Sequence, residues 1–449
     1  MQLTKTNHVT VNVIDAIMGS GKTTWMIDKI NNDPKPKYIV VTPTLTEVTR
    51  IITDCPEARF KEPEQTKHGN KYYSFKILVE NGENIVTTHS LFKLMTKETL
   101  AELKRQQYVL MVDESLAVVS VYKELTRKDI TMLFSDDYVY VEPESFKLRW
   151  NYDKHSDYFG KFSETKDRCD NGNLIYHNEK TMLWEFPVEF LMVFKEVWVM
   201  TYLFNSSPMA NYLSAEGTKV TMYSLEGQSS KHVAPTLIDY KDHDEKAIKE
   251  KLRPLINLYQ GRLNDIGNKN NVQNSTLSKN WYANAKPQVI KEVKSNLANY
   301  LRNVCQGKSE DVMWTVFGQK KNKKNKHRHR GDVSRLEGKG YAKGFVSNNI
   351  KATNDYINKK HVAYMQNTFY HPKIFNYFKD RGVVIHGDLH SLSEMIQLIW
   401  RSQIRKWEPI DVYIPSSRMR HLFECWLKTN SLSDLLLELK VDQGGQDMT

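Results

Sequence analysis

A lysine, two threonines and two glycines fall within nine residues near the start of the chain, in Ala16-Ile17-Met18-Gly19-Ser20-Gly21-Lys22-Thr23-Thr24. That combination suits a bound triphosphate. Glycine lets backbone N–H groups approach phosphate oxygens, a lysine neutralises the β- and γ-phosphates, and a hydroxyl can ligate Mg²⁺. Gly19, Ser20, Gly21, Lys22, Thr23 and Thr24 are therefore the candidate ATP-binding residues, with Thr23 a candidate Mg²⁺ ligand. Ala16 takes the first position of the G-x-x-x-x-G-K-[ST] pattern, where a small residue at a strand exit suffices. The rival reading is a Gly-Ser turn that only caps a helix. A strand-like run before it and a helix-like run after it weigh against that reading.

Two further groups complete such chemistry. Tyr108-Val109-Leu110-Met111-Val112-Asp113-Glu114-Ser115 is an apolar run ending in adjacent carboxylates. Asp113 could anchor Mg²⁺ and Glu114 could take the proton of an attacking water. The alternative is a solvated acidic turn. Near the other end of the chain, Gln397, Arg401 and Arg405 are spaced as i, i+4 and i+8, which predicts a polar stripe on one helix. Guanidinium groups there could stabilise charge developing on a γ-phosphate. Surface salt bridging is the competing explanation.

The elements that must position these groups are legible as buried strands between helices. Val9 to Ile14 leads into the phosphate loop, and Thr23 to Asn31 reads as the helix whose positive end faces it. Tyr38 to Thr44, Glu83 to Ser90, Tyr108 to Ser115 and Val197 to Phe204 are short apolar runs with hydroxyl or acidic ends. Runs without period-2 alternation fit parallel strands buried on both faces. The β-α-β-α-β order predicts a doubly wound sheet, with ligands beyond the carboxyl ends of its strands. Thr42, Thr44, Thr87, Thr88, His89 and Ser90 fall there, as strand-end caps or as contacts to a phosphate backbone. The stretch 120–190 reads as an insertion holding a small β-hairpin.

The second half starts with a segment from Val233 and a helical spacing over Lys246 to Tyr259. A polar stretch, 261–278, follows. Lys286 to Val304 is amphipathic, Val312 to Phe317 and Asp411 to Pro415 are strand-like, and Ser391-Leu392-Ser393-Glu394 predicts a capping box at the start of the Gln397 helix. Lys320 to Arg330 is the densest positive run. It is either a solvated loop or a phosphate-backbone contact.

With 449 residues, 40% hydrophobic and 26% charged, the chain suits two or three globular domains. No apolar run approaches the roughly 20 residues that span a bilayer, and the polar N-terminus lacks an export signal, so a cytoplasmic protein is expected. Cys55, Cys169, Cys305 and Cys425 form no C-x-x-C pair, which argues against zinc and disulfides. A net charge of +11 suggests a polyanionic partner.

Taken in order, these motifs resemble those of superfamily-2 helicases. Ala16 to Thr23 matches motif I, Thr42-Pro43-Thr44 resembles motif Ia, and Thr87-Thr88-His89-Ser90 resembles the strand-exit motif that follows. Asp113-Glu114 matches motif II, Met200 to Phe204 looks like motif III, and Gln397 to Arg401 with Arg405 looks like motif VI. Lys351 to Tyr356, Ala363-Tyr364 and Tyr413 to Arg420 are similar to second-domain signatures of DEAD-like helicases from phages and mobile elements, whose core is similar to herpesvirus origin-binding helicases. The chain departs from the pattern where Ser115-Leu116 follows Glu114, and where Trp400 takes a usual glycine place with arginines four apart.

The resemblance implies an α/β fold of two tandem RecA-like parallel-sheet domains: 1–225 with its insertion, and 226–449 with polar insertions near 260–280 and 318–340. It implies ATP and Mg²⁺ as cofactors, Lys22, Asp113, Glu114, Gln397, Arg401 and Arg405 as catalytic groups, and Thr42, Pro43, Thr44, Thr88, His89 and Thr353 as nucleic-acid contacts. Single-stranded or forked DNA rather than RNA, with replication proteins as partners, is the implied setting. The rival readings are an ATP-gated DNA-binding initiator, a packaging-type ATPase and a nucleoside kinase. The kinase reading lacks its family's cysteine zinc lasso, and the packaging reading lacks a C-terminal carboxylate cluster beyond Asp388.

Overall fold

The computed structural model describes residues 9–65, 70–227, 233–242, 244–268, 275–318, 332–347 and 355–444. It divides into two compact units: Met1–Ala16, Ser20–Asp239 and His371–His386 in the first, and Ile17–Gly19, Tyr240–Tyr370 and Gly387–Thr449 in the second. Both are α/β, with one mixed and one parallel main sheet.

The first unit contains β1 (Val11–Asp15), β2 (Tyr38–Thr42), β3 (Ile85–Thr88), β4 (Val109–Asp113), β5 (Val119–Val121), β6 (Val139–Val141), β7 (Leu148–Trp150), β8 (Leu174–His177), β9 (Thr181–Glu185), β10 (Glu196–Thr201), β11 (Val220–Glu226) and β12 (Thr236–Asp239). Its main sheet runs β12-β11-β1-β10-β4-β2-β3. Neighbours are parallel except β11 and β12. Every residue of β2 and β4 is buried, which is why these runs show no alternation. Helix α1 (Lys22–Asn32) buries Trp25, Met26 and Ile30 against Ile14, Val40 and Met200. Each large side chain so buried contributes about 1.5–3 kcal/mol. Helix α2 (Leu45–Asp54) buries Val48 and Ile51 in the same core.

Three expectations about this unit change. The 120–190 stretch holds more than a hairpin: β5-β9-β8 form one antiparallel sheet, β6-β7 another, and Leu133, Leu148, Trp150, Phe162 and Leu174 give it a core of its own. The boundary expected at 225 falls later, because β12 pairs antiparallel with β11 and extends the first sheet. The segment His371–His386 also belongs here. Its helix Pro372–Asp380 is held by polar side chains: Tyr377 Oη donates to Glu185 Oε2 at 2.7 Å, and Arg381 donates to Tyr377 Oη at 2.9 Å and Glu216 Oε1 at 2.7 Å.

The second unit contains β13 (Ile256–Leu258), β14 (Val312–Thr315), β15 (His361–Tyr364) and β16 (Ile410–Tyr413), in the order β13-β16-β15-β14 and all parallel. Trp314, Tyr282, Tyr300 and Tyr413 fill its core. The helical reading of 246–259 is corrected: the helix Lys246–Leu252 passes through a tight turn containing Pro254 into β13, since proline cannot supply the next helical N–H. The capping box at Ser391 is also corrected. The helix spans Gly387–Ile399 and Ser391 lies inside it, its hydroxyl donating back to the Gly387 carbonyl at 2.9 Å.

The four cysteines are free. Among the described residues no helix is long and apolar enough to cross a membrane.

Candidate nucleotide-binding site

The loop Ala16 to Gly21 joins the carboxyl end of β1 to the first turn of α1. Gly19 (φ 79°) and Gly21 (φ 91°) have left-handed backbones, which a side chain would strain. Amide groups turned inward by such a path, together with the unpaired N–H groups of the first helical turn, suit an anion. Lys22 Nζ donates to the Ala16 carbonyl at 2.5 Å, so the lysine folds back over its own loop. Ser20 Oγ is buried with no hydrogen-bond partner among the described residues. Such a hydroxyl costs about 1–3 kcal/mol unless something pairs with it, and a phosphate oxygen would. Thr23 and Thr24 are half-buried at the start of α1.

Asp113 ends β4 and Glu114 follows it with φ 62°, its N–H bonded to the Met200 carbonyl of β10 at 2.9 Å. That backbone costs a non-glycine residue roughly 1–2 kcal/mol and turns the glutamate away from the strand's continuation. Burial, then the charges of Glu114 and Glu47, push Asp113 up to about 7, while Lys22 and Arg50 pull the other way. A buried carboxylate short of positive charge is suited to a divalent cation. Glu47 and Arg50, which form an ion pair at 3.4 Å on α2, are neighbours of this centre that the sequence reading did not single out. Their only signal was a place three and six residues beyond Thr44, in the first two turns of α2.

Of the strand-exit residues, Thr42, Thr44, Thr88 and His89 have protein partners, whereas the Thr87 hydroxyl is buried with no hydrogen-bond partner among the described residues. Thr42 is fully buried and its hydroxyl donates to the Thr44 carbonyl at 3.1 Å. Thr44 caps α2 by accepting from Glu47 N–H at 3.5 Å, with Pro43 half-buried before it. Thr88 accepts from Leu91 N–H at 3.4 Å. His89 is buried, its Nε2 2.8 Å from the Asp113 carbonyl oxygen. Thr353 lies outside the described residues, as does the basic run Lys320 to Arg330.

In the second unit the stripe expected of Gln397, Arg401 and Arg405 is not formed. The helix ends at Ile399, Arg401 lies in the turn beyond it, and Arg405 belongs to the short 3-10 turn Gln403–Lys406. The reason is local: the Arg401 and Ser402 amides bond to carbonyls three residues back, and Ser402 Oγ donates to the Ile399 carbonyl at 2.7 Å, ending the helix before an extended Ser402. Gln397 donates to Ser393 Oγ at 3.1 Å, Arg401 is buried and Arg405 half-buried. The polar cluster at the carboxyl edge of this sheet is centred instead on Arg418. Its guanidinium donates to Asn367 Oδ1 at 2.9 Å, to the Thr368 carbonyl at 2.8 Å and to Asp388 Oδ1 at 3.1 Å, and stacks on Phe369.

Comparison with known proteins adds the following. A family model described as the YonV C-terminal Rossmann-like domain matches residues 250–427, and one described as the YonV middle domain matches 119–184. The chain is 37% identical over 429 residues to the SPbeta prophage-derived uncharacterized protein YonV of Bacillus subtilis (strain 168), covering 93% of this chain and 98% of that protein. Similar solved structures are helicases. An XPD helicase has a TM-score of 0.41 at 12% identity, covering 90% of this chain and 92% of that one. S. tokodaii Xpd4 has 0.42 at 12%, covering 95% of each chain. The helicase MrfA bound to DNA and AMPPNP has 0.32 at 11%, covering 96% of this chain and 51% of that one. The identity to the prophage protein runs over nearly the whole of both chains, so this protein belongs to the YonV family.

Proposed function

We propose that the protein is an ATP-dependent superfamily-2 helicase or translocase acting on DNA in phage or mobile-element replication or recombination. In this reading its two sheets are tandem RecA-like domains. The observation that carries it is the glycine turn between β1 and α1, with left-handed Gly19 and Gly21 and a Ser20 hydroxyl that has no partner among the described residues, on the same sheet as the buried Asp113 carboxylate.

When bound, ATP with Mg²⁺ supplies a transferable γ-phosphoryl group and the charge that polarises it. Lys22 would exchange the Ala16 carbonyl for phosphate oxygens. Gly19, Ser20, Gly21 and Thr24 would line the phosphates, and Thr23 and Asp113 would hold the metal. Glu114 would accept the proton of the attacking water. Gln397, Arg401 and Arg405 are proposed to orient that water and to balance charge in the transition state. Thr42, Pro43, Thr44, Thr88, His89 and Thr353 are proposed to lie along the nucleic-acid track. For Thr44 this means that the amino end of α2, rather than the hydroxyl already used as a cap, would face a phosphate.

The test is ATP turnover by the purified full chain with and without single-stranded DNA, beside unwinding of a forked duplex. Stimulated turnover is expected, abolished in Lys22→Ala, with Glu114→Gln retaining nucleotide and DNA but not turning over. Ordinary DNA-stimulated turnover in either variant sinks the assignment. Stimulated turnover and tight binding without strand separation would leave the ATP-gated initiator reading in its place.

A further inference from the structure

The second unit carries a polar group of three that neither the family comparison nor the ATPase reading uses. It sits at the amino ends of the strands, the edge opposite the Arg418 cluster. In a parallel sheet, residues in register share a face. Asn257, Asp411 and His361 are in register across β13, β16 and β15. Asn257 Nδ2 donates to Asp411 Oδ1 at 2.9 Å, and His361 Nδ1 lies 2.8 Å from Asp411 Oδ2. Cys305 reaches the same point from a different element. The helix Pro287–Asn299 widens into a π-turn, Tyr300–Val304, with the Cys305 N–H bonded to the Tyr300 carbonyl at 2.9 Å. Gln306 then takes a left-handed backbone, and Gly307 passes so close to the His361 ring that a Cβ would stand 2.8 Å from its Cδ2. Single π-turns recur at functional sites, and this one aims a thiol at the imidazole and the carboxylate.

One ligand atom each from Cys305, His361 and Asp411 lie within 4.8 Å of one another. Tetrahedral Zn²⁺ with bonds of about 2.0–2.3 Å places its ligand atoms roughly 3.3–3.8 Å apart. Rotamer adjustments of under about an ångström would therefore close the site. The buried Tyr300 side chain faces the same point, where its hydroxyl is a hydrogen-bond neighbour of the Cys305 thiol and feels the charge of Asp411. It is placed to bond to a metal-bound thiolate. Asn257 would orient the carboxylate from behind, as outer partners of metal ligands do.

We propose that Cys305, His361 and Asp411 bind a zinc-class divalent cation, with water in the fourth position. On binding, a metal–sulfur bond forms and the thiol proton leaves to solvent, so uptake strengthens as pH rises. The cation ties the π-turn to the starts of β15 and β16. It acts as a structural staple and does not depend on the ATPase reading. The competing arrangement is a His361–Asp411 ion pair with Cys305 packed beside it as a plain thiol.

Chelator-treated full-length protein titrated with Co²⁺ distinguishes the two. One equivalent is expected, with tetrahedral ligand-field bands and a thiolate-to-cobalt charge-transfer band, both removed by added Zn²⁺. Cys305→Ser should abolish the charge-transfer band, and Asp411→Asn should weaken binding at least tenfold. Cys425→Ser, which removes the thiol beside His421, should change nothing. Zn²⁺ should also raise the thermal midpoint of the wild-type chain, a readout that needs no variant to fold. No charge-transfer band in the wild type, a band that survives Cys305→Ser, or loss of the band in Cys425→Ser overturns the proposal.

Discussion

His89 Nε2 lies 2.8 Å from the carbonyl oxygen of Asp113, which ties the exit of β3 to the tip of β4 although β2 runs between them. Both residues are buried, so losing the ring strands a carbonyl away from water. His89→Ala should cost about 1–3 kcal/mol of stability. It should also lower kcat for ATP more than it raises KM, because the carboxylate tip shifts while the phosphate loop stays. Denaturant unfolding and steady-state ATPase on one preparation check this. Unchanged values of both would show that the bond positions nothing.

Asp113 titrates upward chiefly because it is buried, reaching about 7. Its folded value exceeds the unfolded one, so its contribution to stability is full below about 4 and is lost as pH rises through about 7. Asp113→Asn should therefore make the nucleotide-free protein more stable at pH 8, with the difference shrinking towards pH 4, while ATP turnover disappears. On the proposed ATPase reading, Mg²⁺ held by Asp113 displaces a proton, so the Mg²⁺ concentration for half-maximal turnover should rise as pH falls below about 7. Denaturation curves at several pH values and Mg²⁺ titrations of turnover measure the two effects.

Glu114 carries its side chain on a left-handed backbone, φ 62°. Deleting the carboxylate by two routes separates chemistry from strain. Glu114→Gly and Glu114→Ala should both stop turnover. The glycine variant should be no less stable than the alanine variant, by up to about 1 kcal/mol, because only glycine adopts this conformation freely. Paired urea melts would reveal an alanine variant clearly more stable than the glycine one, which would contradict this.

The helix Pro372–Asp380 is anchored in the first unit by Tyr377 on Glu185. Burial pushes Glu185 up to about 7, aided by Glu216 and opposed by the Tyr377 bond, Arg381 and Lys147. A raised acid stabilises the fold below its unfolded value, and that contribution fades as pH rises through about 7. Glu185→Gln should be more stable than wild type at pH 8 and about equal near pH 4. Tyr377→Phe should lose about 1 kcal/mol and make residues 371–386 a faster protease target. Limited proteolysis at the two pH values tests both.

What the sequence alone determined is what lies close along the chain. The tight turn between β1 and α1 was legible because its glycines fall within a few consecutive residues, and β2 and β4 because wholly buried strands are unbroken apolar runs. Helix ends set by proline or side-chain back-bonding were harder to read, as β13 and the stop at Ile399 illustrate, since each turns on a few local hydrogen bonds made or withheld. Tertiary structure decided the rest. It gave residues 371–386 to the first unit through Tyr377 and Arg381, paired β12 with β11, and placed His89 beneath Asp113. It also brought Cys305, His361 and Asp411 together. These side chains meet because parallel strands align residues far apart in the chain, and no local pattern of hydrophobicity records the register that sets which ones face each other.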